Sequence, residues 1–323
     1  MSERGERLGV TVRPRTSRFV RPRTSRPVAA TDPGRRHVES SALTALLPAF
    51  AAIPVWLLAL AVWWLPVHLI WNVPFLTFAL VCLAGGLVLL IRPVQVRVLA
   101  VLVGARRPTA AERATLDTAW RSVLQVNHLP RNRYTVAVLP ADDINAFACG
   151  GHLVVVTTYA LDELPRDELA GVLAHELSHH LGLHTVALTV SQWLSLPVLL
   201  LARIGMFLQN VATAATDTFA RDSASLTAVG RLIAAVLRAV SWVFLAGLLM
   251  TNAIANVVGR NAEFQADRRV VAMGFGRPLA NALRRVMDTP AAHPTRWEKL
   301  WNSHPPARLR VVRIEALLRQ RAR

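Results

Sequence analysis

Residues 175–179 read His-Glu-Leu-Ser-His. On an α-helix, positions i and i+4 lie on one face. His175 and His179 can therefore offer two imidazole nitrogens to one Zn2+, with Glu176 beside them as a general base for a water on the metal. A catalytic zinc wants three protein ligands and one open position. One place to look is a histidine six residues beyond His179, after a glycine. Gly182 stands at the right offset, but position 185 is Thr185 and His184 is one place early, which rules this out. The other place is the run Arg260-Asn261-Ala262-Glu263-Phe264-Gln265-Ala266-Asp267. Glu263 and Asp267 share a face there. Glu263 can ligate the metal, Asp267 can accept a hydrogen bond from a ligand imidazole and fix its tautomer, and Arg260, one turn earlier, can steady either carboxylate. The same residues also read as a charged, solvated helix end just beyond an apolar span, and spacing alone leaves both readings open.

The elements that must position these residues follow from the pattern. A helix should begin near Pro165, a residue suited to a first turn, with Asp167 and Glu168 favouring the positive end of the helix dipole. It carries the histidine pair. Upstream, residues 109–127 have helical spacing, with Leu116, Trp120, Leu124 and Val126 as apolar members. Tyr134–Leu139 and His152–Thr157 read as valine-rich strands. Gly150 and Gly151 separate the second strand from Asn145–Cys149.

Long apolar stretches interrupt this soluble pattern. Hydrophobic residues make up 53% of 323 residues and the mean hydropathy is +0.35, which points to a membrane protein. Residues 43–71 and 73–91 form a hairpin around Asn72–Pro74, with Trp63, Trp64 and Trp71 suited to the interfacial belt. Pro48, Pro54 and Pro66 should kink or shorten the first span. Residues 185–202 and 239–258 are two more spans, flanked by Arg203 and Arg238, with a mixed loop at 204–237 between them. The expected fold class is therefore mainly α with a small β-sheet, an integral membrane protein with about four transmembrane helices. Its divisions are a tail at 1–40, a hairpin at 41–91, a first catalytic half at 92–183, a second membrane pair at 184–258 and a second catalytic half at 259–323.

Charge sets the orientation. Residues 1–40 hold ten arginines and a repeated VRPRTSR at 12–18 and 20–26, and read as a disordered cytoplasmic tail and not a secretory signal. With Arg92, Arg97, Arg106 and Arg107 after the second span, the positive-inside rule puts both flanks of the hairpin in the cytoplasm. Two further spans return 259–323 to the same side, so the two catalytic halves meet at the plasma membrane's inner face. The net charge of +17 does not indicate nucleic-acid binding. Only Lys299 is a lysine, and no interleaved aromatics or base-reading helix accompany the arginines; the tail reads as a topology anchor meeting anionic lipid. Cys82 and Cys149 cannot make a disulfide framework or a Cys-based zinc site.

His-Glu-Leu-Ser-His with Glu263 to Asp267 resembles the membrane metallopeptidases of the HtpX and CAAX prenyl-protease type. Asn145-Ala146-Phe147-Ala148 before the glycine pair, the paired apolar spans, and Ser303-His304-Pro305-Pro306 before an arginine-rich helix are similar to the same family. The likeness covers about residues 43–315. It implies a thermolysin-like zincin catalytic domain holding one Zn2+ per chain on His175, His179 and Glu263, with Asp267 and Arg260 behind them and Glu176 catalytic. It implies that Asn145 and the backbone at Ala146 hold a peptide substrate and that strand His152–Thr157 offers its edge to it. His304 would stabilise the oxyanion, where the residues alone read equally as a turn before a helix. The implied function is endopeptidase action on membrane or misfolded proteins, in membrane protein quality control. The alternatives are a CAAX prenyl-protein peptidase, which resembles a chamber of more spans, and a non-catalytic zinc-binding membrane scaffold, which has no need of Glu176.

Overall fold

The computed structural model describes residues 44–182, 184–220, 223–288 and 305–323, all within the unit spanning residues 34–323. The tail at 1–40, with its repeat, lies outside the described residues.

The first apolar stretch forms α1 (Leu47–Trp71), a single helix of 25 residues. Pro54 and Pro66 sit inside it without ending it, as neighbouring membrane helices allow. Asn72 closes it in the left-handed region, φ 52°. The turn is tied by Trp64 Nε1, which donates to the Val73 carbonyl at 2.8 Å, with His68 stacked on Trp64. Next come α2 (Phe75–Val88) and α3 (Arg92–Val103), which meet at an 82° bend.

The soluble pattern then takes shape. Helix α4 (Ala110–Val126) starts on a capping box in which Thr109 and Glu112 satisfy each other's backbone N–H. Three strands follow, β1 (Thr135–Leu139), β2 (Ala146–Cys149) and β3 (Leu153–Thr157). Their order is β1-β3-β2, with β1 parallel and β2 antiparallel to β3. Because β3 is paired on both sides it has no free edge. The expectation that His152–Thr157 offers an edge is therefore corrected: the edge strand is β2, a segment too short and too mixed to read as a strand from its composition. The alternation along β3 explains its valines. Val154 and Val156 face one core and Leu153 and Val155 the other, so both faces are buried.

After the short α5 (Thr158–Glu163), α6 (Arg166–Leu181) carries the histidine pair and buries Leu169, Leu173 and Leu177. Gly171 lets it approach α9 (Gly276–Asp288) closely, since a Cβ there would stand 2.5 Å from the Leu279 backbone nitrogen. Helices α7 (His184–Phe219) and α8 (Ala224–Met273) are 36 and 50 residues long. The spans expected at 185–202 and 239–258 are segments of these helices. The loop expected at 204–237 is instead helical over 204–219 and 224–237. Arg203, Asp217 and Arg231 interrupt the apolar run but do not break a helix, because charged side chains carry little penalty in helix propensity. Among the described residues three helices, α1, α7 and α8, are long and apolar enough to cross a bilayer, or up to four spans if α2 with α3 counts as one.

Two cores hold the parts together. In the membrane part, Trp56 and Leu60 of α1 pack with Leu194 and Val198 of α7 and Phe244 and Leu248 of α8. In the other, Leu116 and Val123 of α4, Leu173 of α6, Val270 of α8, Leu279 of α9 and Ile314 of α10 (Ala307–Ala322) surround one face of the sheet. Helix α8 belongs to both. Its apolar middle lies among the membrane helices and its last turns enter the second core, which carries residues 263–267 to the side of α6.

Candidate metal centre

His175, His179 and Glu263 come together. One ligand atom from each lies within 4.8 Å of the others, and all three residues are buried. Glu263 Oε1 is 3.1 Å from His179 Nε2, Glu263 Oε2 is 3.2 Å from His175 Nε2, and the two Nε2 atoms are 3.2 Å apart. Helix periodicity supplies the first two donors and the end of α8 the third. Two imidazoles and one carboxylate at this spacing fit zinc with an open fourth position. Glu176, also buried, follows His175 on the same helix.

Behind the donors, Asp267 Oδ1 lies 3.2 Å from His175 Nδ1. That contact leaves Nε2 as the nitrogen directed at the metal position. The cation at this layer is not Arg260, which is exposed, but Arg310 on α10. Arg310 is buried. Its Nη2 and Nε donate to Asp267 at 2.8 and 3.1 Å, its Nη2 lies 3.1 Å from both ring nitrogens of His175, and its Nη1 is 3.6 Å from Glu263 Oε2. A signal for it existed. Arg310 lies in the stripe it forms with Val311, Ile314, Leu317 and Leu318, at helical spacing, so a charge there must be paired inside the fold.

Burial and the Arg310 charge both oppose protonation of His175, but hydrogen bonds to Asp267 and Glu263 outweigh them and push its pKa up to about 9 without metal. Zinc binding must therefore displace that proton. At pH 7 to 8, calorimetry in buffers of different ionisation enthalpy should show release of about one proton per zinc bound. Apparent affinity should rise about tenfold per pH unit until near pH 9. A heat independent of buffer would contradict this.

The neighbouring histidines have other places. His180 donates from Nε2 to the Leu153 carbonyl at 3.1 Å, lies 3.2 Å from Thr185 through Nδ1 and stacks on Tyr134. Burial lowers its pKa to about 3, so it is a neutral tie between α6 and β3. The His184 ring is 6.4 Å from that of His179. Cys149 is buried, and desolvation with the nearby Glu176 charge pushes its thiol up to about 12, which keeps it protonated. His304 lies outside the described residues.

Asn145 opens β2. Its carbonyl accepts from Thr157 N at 3.0 Å. The antiparallel alternation then turns the backbone groups of Phe147 and Cys149 towards β3, and those of Ala146 and Ala148 away from it.

Comparison with known proteins bears on the same residues. The model of peptidase family M48 matches residues 110–318. Among curated relatives, a protease HtpX homolog of Salinibacter ruber is 29% identical over 207 residues, 56% of this chain and 67% of the relative. One of Acidiphilium cryptum is 30% identical over 206 residues, 55% and 66% of the two chains, and one of Ligilactobacillus salivarius 31% identical over 196 residues, 53% and 63%. The match spans about two thirds of the length of these relatives. Among solved structures, the crystal structure of S. mikatae Ste24p is similar with a TM-score of 0.44 and 18% identity, over 79% of this chain and 61% of that one.

Proposed function

The chain belongs to peptidase family M48, and from that premise we propose that it is a membrane-integrated zinc endopeptidase acting at the cytoplasmic surface of the plasma membrane on unfolded or membrane-presented polypeptides. The observation that carries this is the buried set of His175, His179 and Glu263 with ligand atoms within 4.8 Å, and Glu176 on the same helix.

When bound, zinc supplies Lewis acidity, polarising the scissile carbonyl and acidifying water in the open position. Glu176 accepts the proton of the attacking water on its carboxylate and returns it to the leaving amine nitrogen. Asp267 and Arg310 hold His175 in place. His304, three residues before a helix whose Arg310 reaches the site, is proposed to donate to the developing oxyanion. The substrate lies along β2 in an extended form, paired to the outward backbone groups of Ala146 and Ala148, with Asn145 at one end. A scaffold reading has no use for a carboxylic acid beside the metal, and Glu176 argues against it.

Three features of the chain support this location. Arginines flank the first hairpin, the site sits where α8 leaves the membrane core, and α6 leads almost directly into α7. Such a site is open to segments emerging from the bilayer, which suits a quality-control role. In the assay, purified protein should release internal peptides from an unfolded substrate; trimming from the termini alone would argue against an endopeptidase. Ala148→Pro removes one outward N–H and leaves the pairing to β3 intact. It should raise KM several-fold with little change in kcat. An unchanged KM would place the substrate elsewhere.

A further inference from the structure

A second concave site lies on the far side of the sheet from the metal. A groove of about 760 Å³ opens between α3 and β1, walled by Val96, Ala100 and Val101 on one side and Val136 and Ala137 on the other. That volume suits a small-molecule ligand. The rim carries Arg92, Arg97, Arg106 and Arg107, and among the described residues no acidic one lines it. Two of these arginines are engaged. Arg106 makes a bidentate pair with Glu112, whose carboxyl it holds at about 2, and Arg92 donates to the Asn132 carbonyl. Arg97 and Arg107 are exposed, and their guanidiniums have no ion pair among the described residues.

The position of α3 says which anion. The apolar stretch 73–91 ends at Arg92, and the chain turns by 82° there. With the stretch 73–91 read as the second membrane span, the bend lays α3 close to the membrane plane. Its outer side shows Val98 and Leu102, 36% and 62% exposed, as an interfacial helix does. Its inner side is fixed. Gln95, buried, accepts from Gly151 N at 2.8 Å and lies 3.1 Å from His152 Nδ1. Gly150, at φ 58°, has no room for a Cβ against that side chain. These contacts fix α3, one wall of the groove, against the segment before β3.

We propose that this groove binds an anionic phospholipid, with Arg97 and Arg107 on its phosphate and an acyl chain along the apolar wall. The proposal rests on the membrane reading and not on the peptidase reading. A soluble anion would leave the apolar wall unused. The arginine-rich segment 1–40 would bring like charge to an arginine rim.

The test is native mass spectrometry of the detergent-solubilised full-length chain with phosphatidylglycerol or phosphatidylcholine. Phosphatidylglycerol should be retained about tenfold more strongly, since each interfacial arginine contributes a modest electrostatic gain. The Arg97→Glu/Arg107→Glu double variant should lose that preference. Arg319→Glu/Arg323→Glu, the same charge change at the end of α10, should keep it. Ala100→Trp fills the groove without touching the charges and should also weaken retention, so the idea stays testable if the double variant folds poorly. Free glycerol phosphate should not compete. Equal retention of the two lipids, a double variant or an Ala100→Trp variant that behaves as wild type, or competition by glycerol phosphate would each overturn the proposal. Zinc content and proteolysis, measured beside it, report on the other site separately.

Discussion

Glu176→Gln is expected to lose about 10²–10⁴ in kcat while retaining zinc, the range for removing a positioned general base. The substitution keeps the size of the side chain and removes its basicity. Glu176 is buried on α6, one residue beyond a ligand, and the other buried carboxylates of the region are spoken for. Glu263 contacts both imidazoles, and Asp267 is held by Arg310. No second base stands ready to replace it among the described residues, because the neighbouring Cys149 thiol stays protonated. KM should change little, since the amide can occupy the same place. If the variant keeps most of the native kcat, Glu176 does not carry the proton, and the non-catalytic scaffold becomes the better account. If it loses zinc as well, its role is in building the site.

Arg310→Met should be the most damaging single change for folding. Asp267 and Glu263 are both buried, and Arg310 offsets their charge. Removing one partner from a buried ion pair costs about 3–5 kcal/mol, because the other charge is left uncompensated. Zinc should soften the loss. With metal present its two positive charges balance the two carboxylates without Arg310. Without metal only a protonated His175 does so, and it falls one charge short. Thermal unfolding should therefore show a larger drop for the variant in chelator than with zinc. Arg310→Lys should be intermediate, since an ammonium keeps the charge and loses the fork. Equal drops with and without metal would mean that Arg310 acts through packing alone.

Much of the site was legible because its chemistry is local. His175, Glu176 and His179 need one helix, and so do Glu263 and Asp267. What local spacing cannot reveal is which distant segments meet. Spacing left Glu263 open between a ligand and a solvated helix end; it was the family resemblance that favoured the ligand, and the structure brings residues 84 positions apart to one point through the length of α8. Arg260 was the cation expected from sequence because it shares a helix with the carboxylates. Arg310, from a helix 43 residues beyond Asp267, stands there instead, one inward arginine among several outward ones on α10. Strand β2 escaped composition for a related reason. Its four residues owe their strand form to pairing with β3, which no short segment announces by itself. The apolar spans were legible by length and hydropathy, but their helices run on past the apolar windows because charge ends a span without ending a helix.

On the proposed function, a zinc ion held by His175, His179 and Glu263 is needed for peptide hydrolysis. The most direct measurement is cleavage of an unfolded model protein by the purified, detergent-solubilised chain, after its metal has been stripped and again after one zinc per chain is returned. Cleavage should vanish on stripping and recover with stoichiometric zinc. Cleavage that persists without metal, or full zinc loading with no cleavage, would contradict the account.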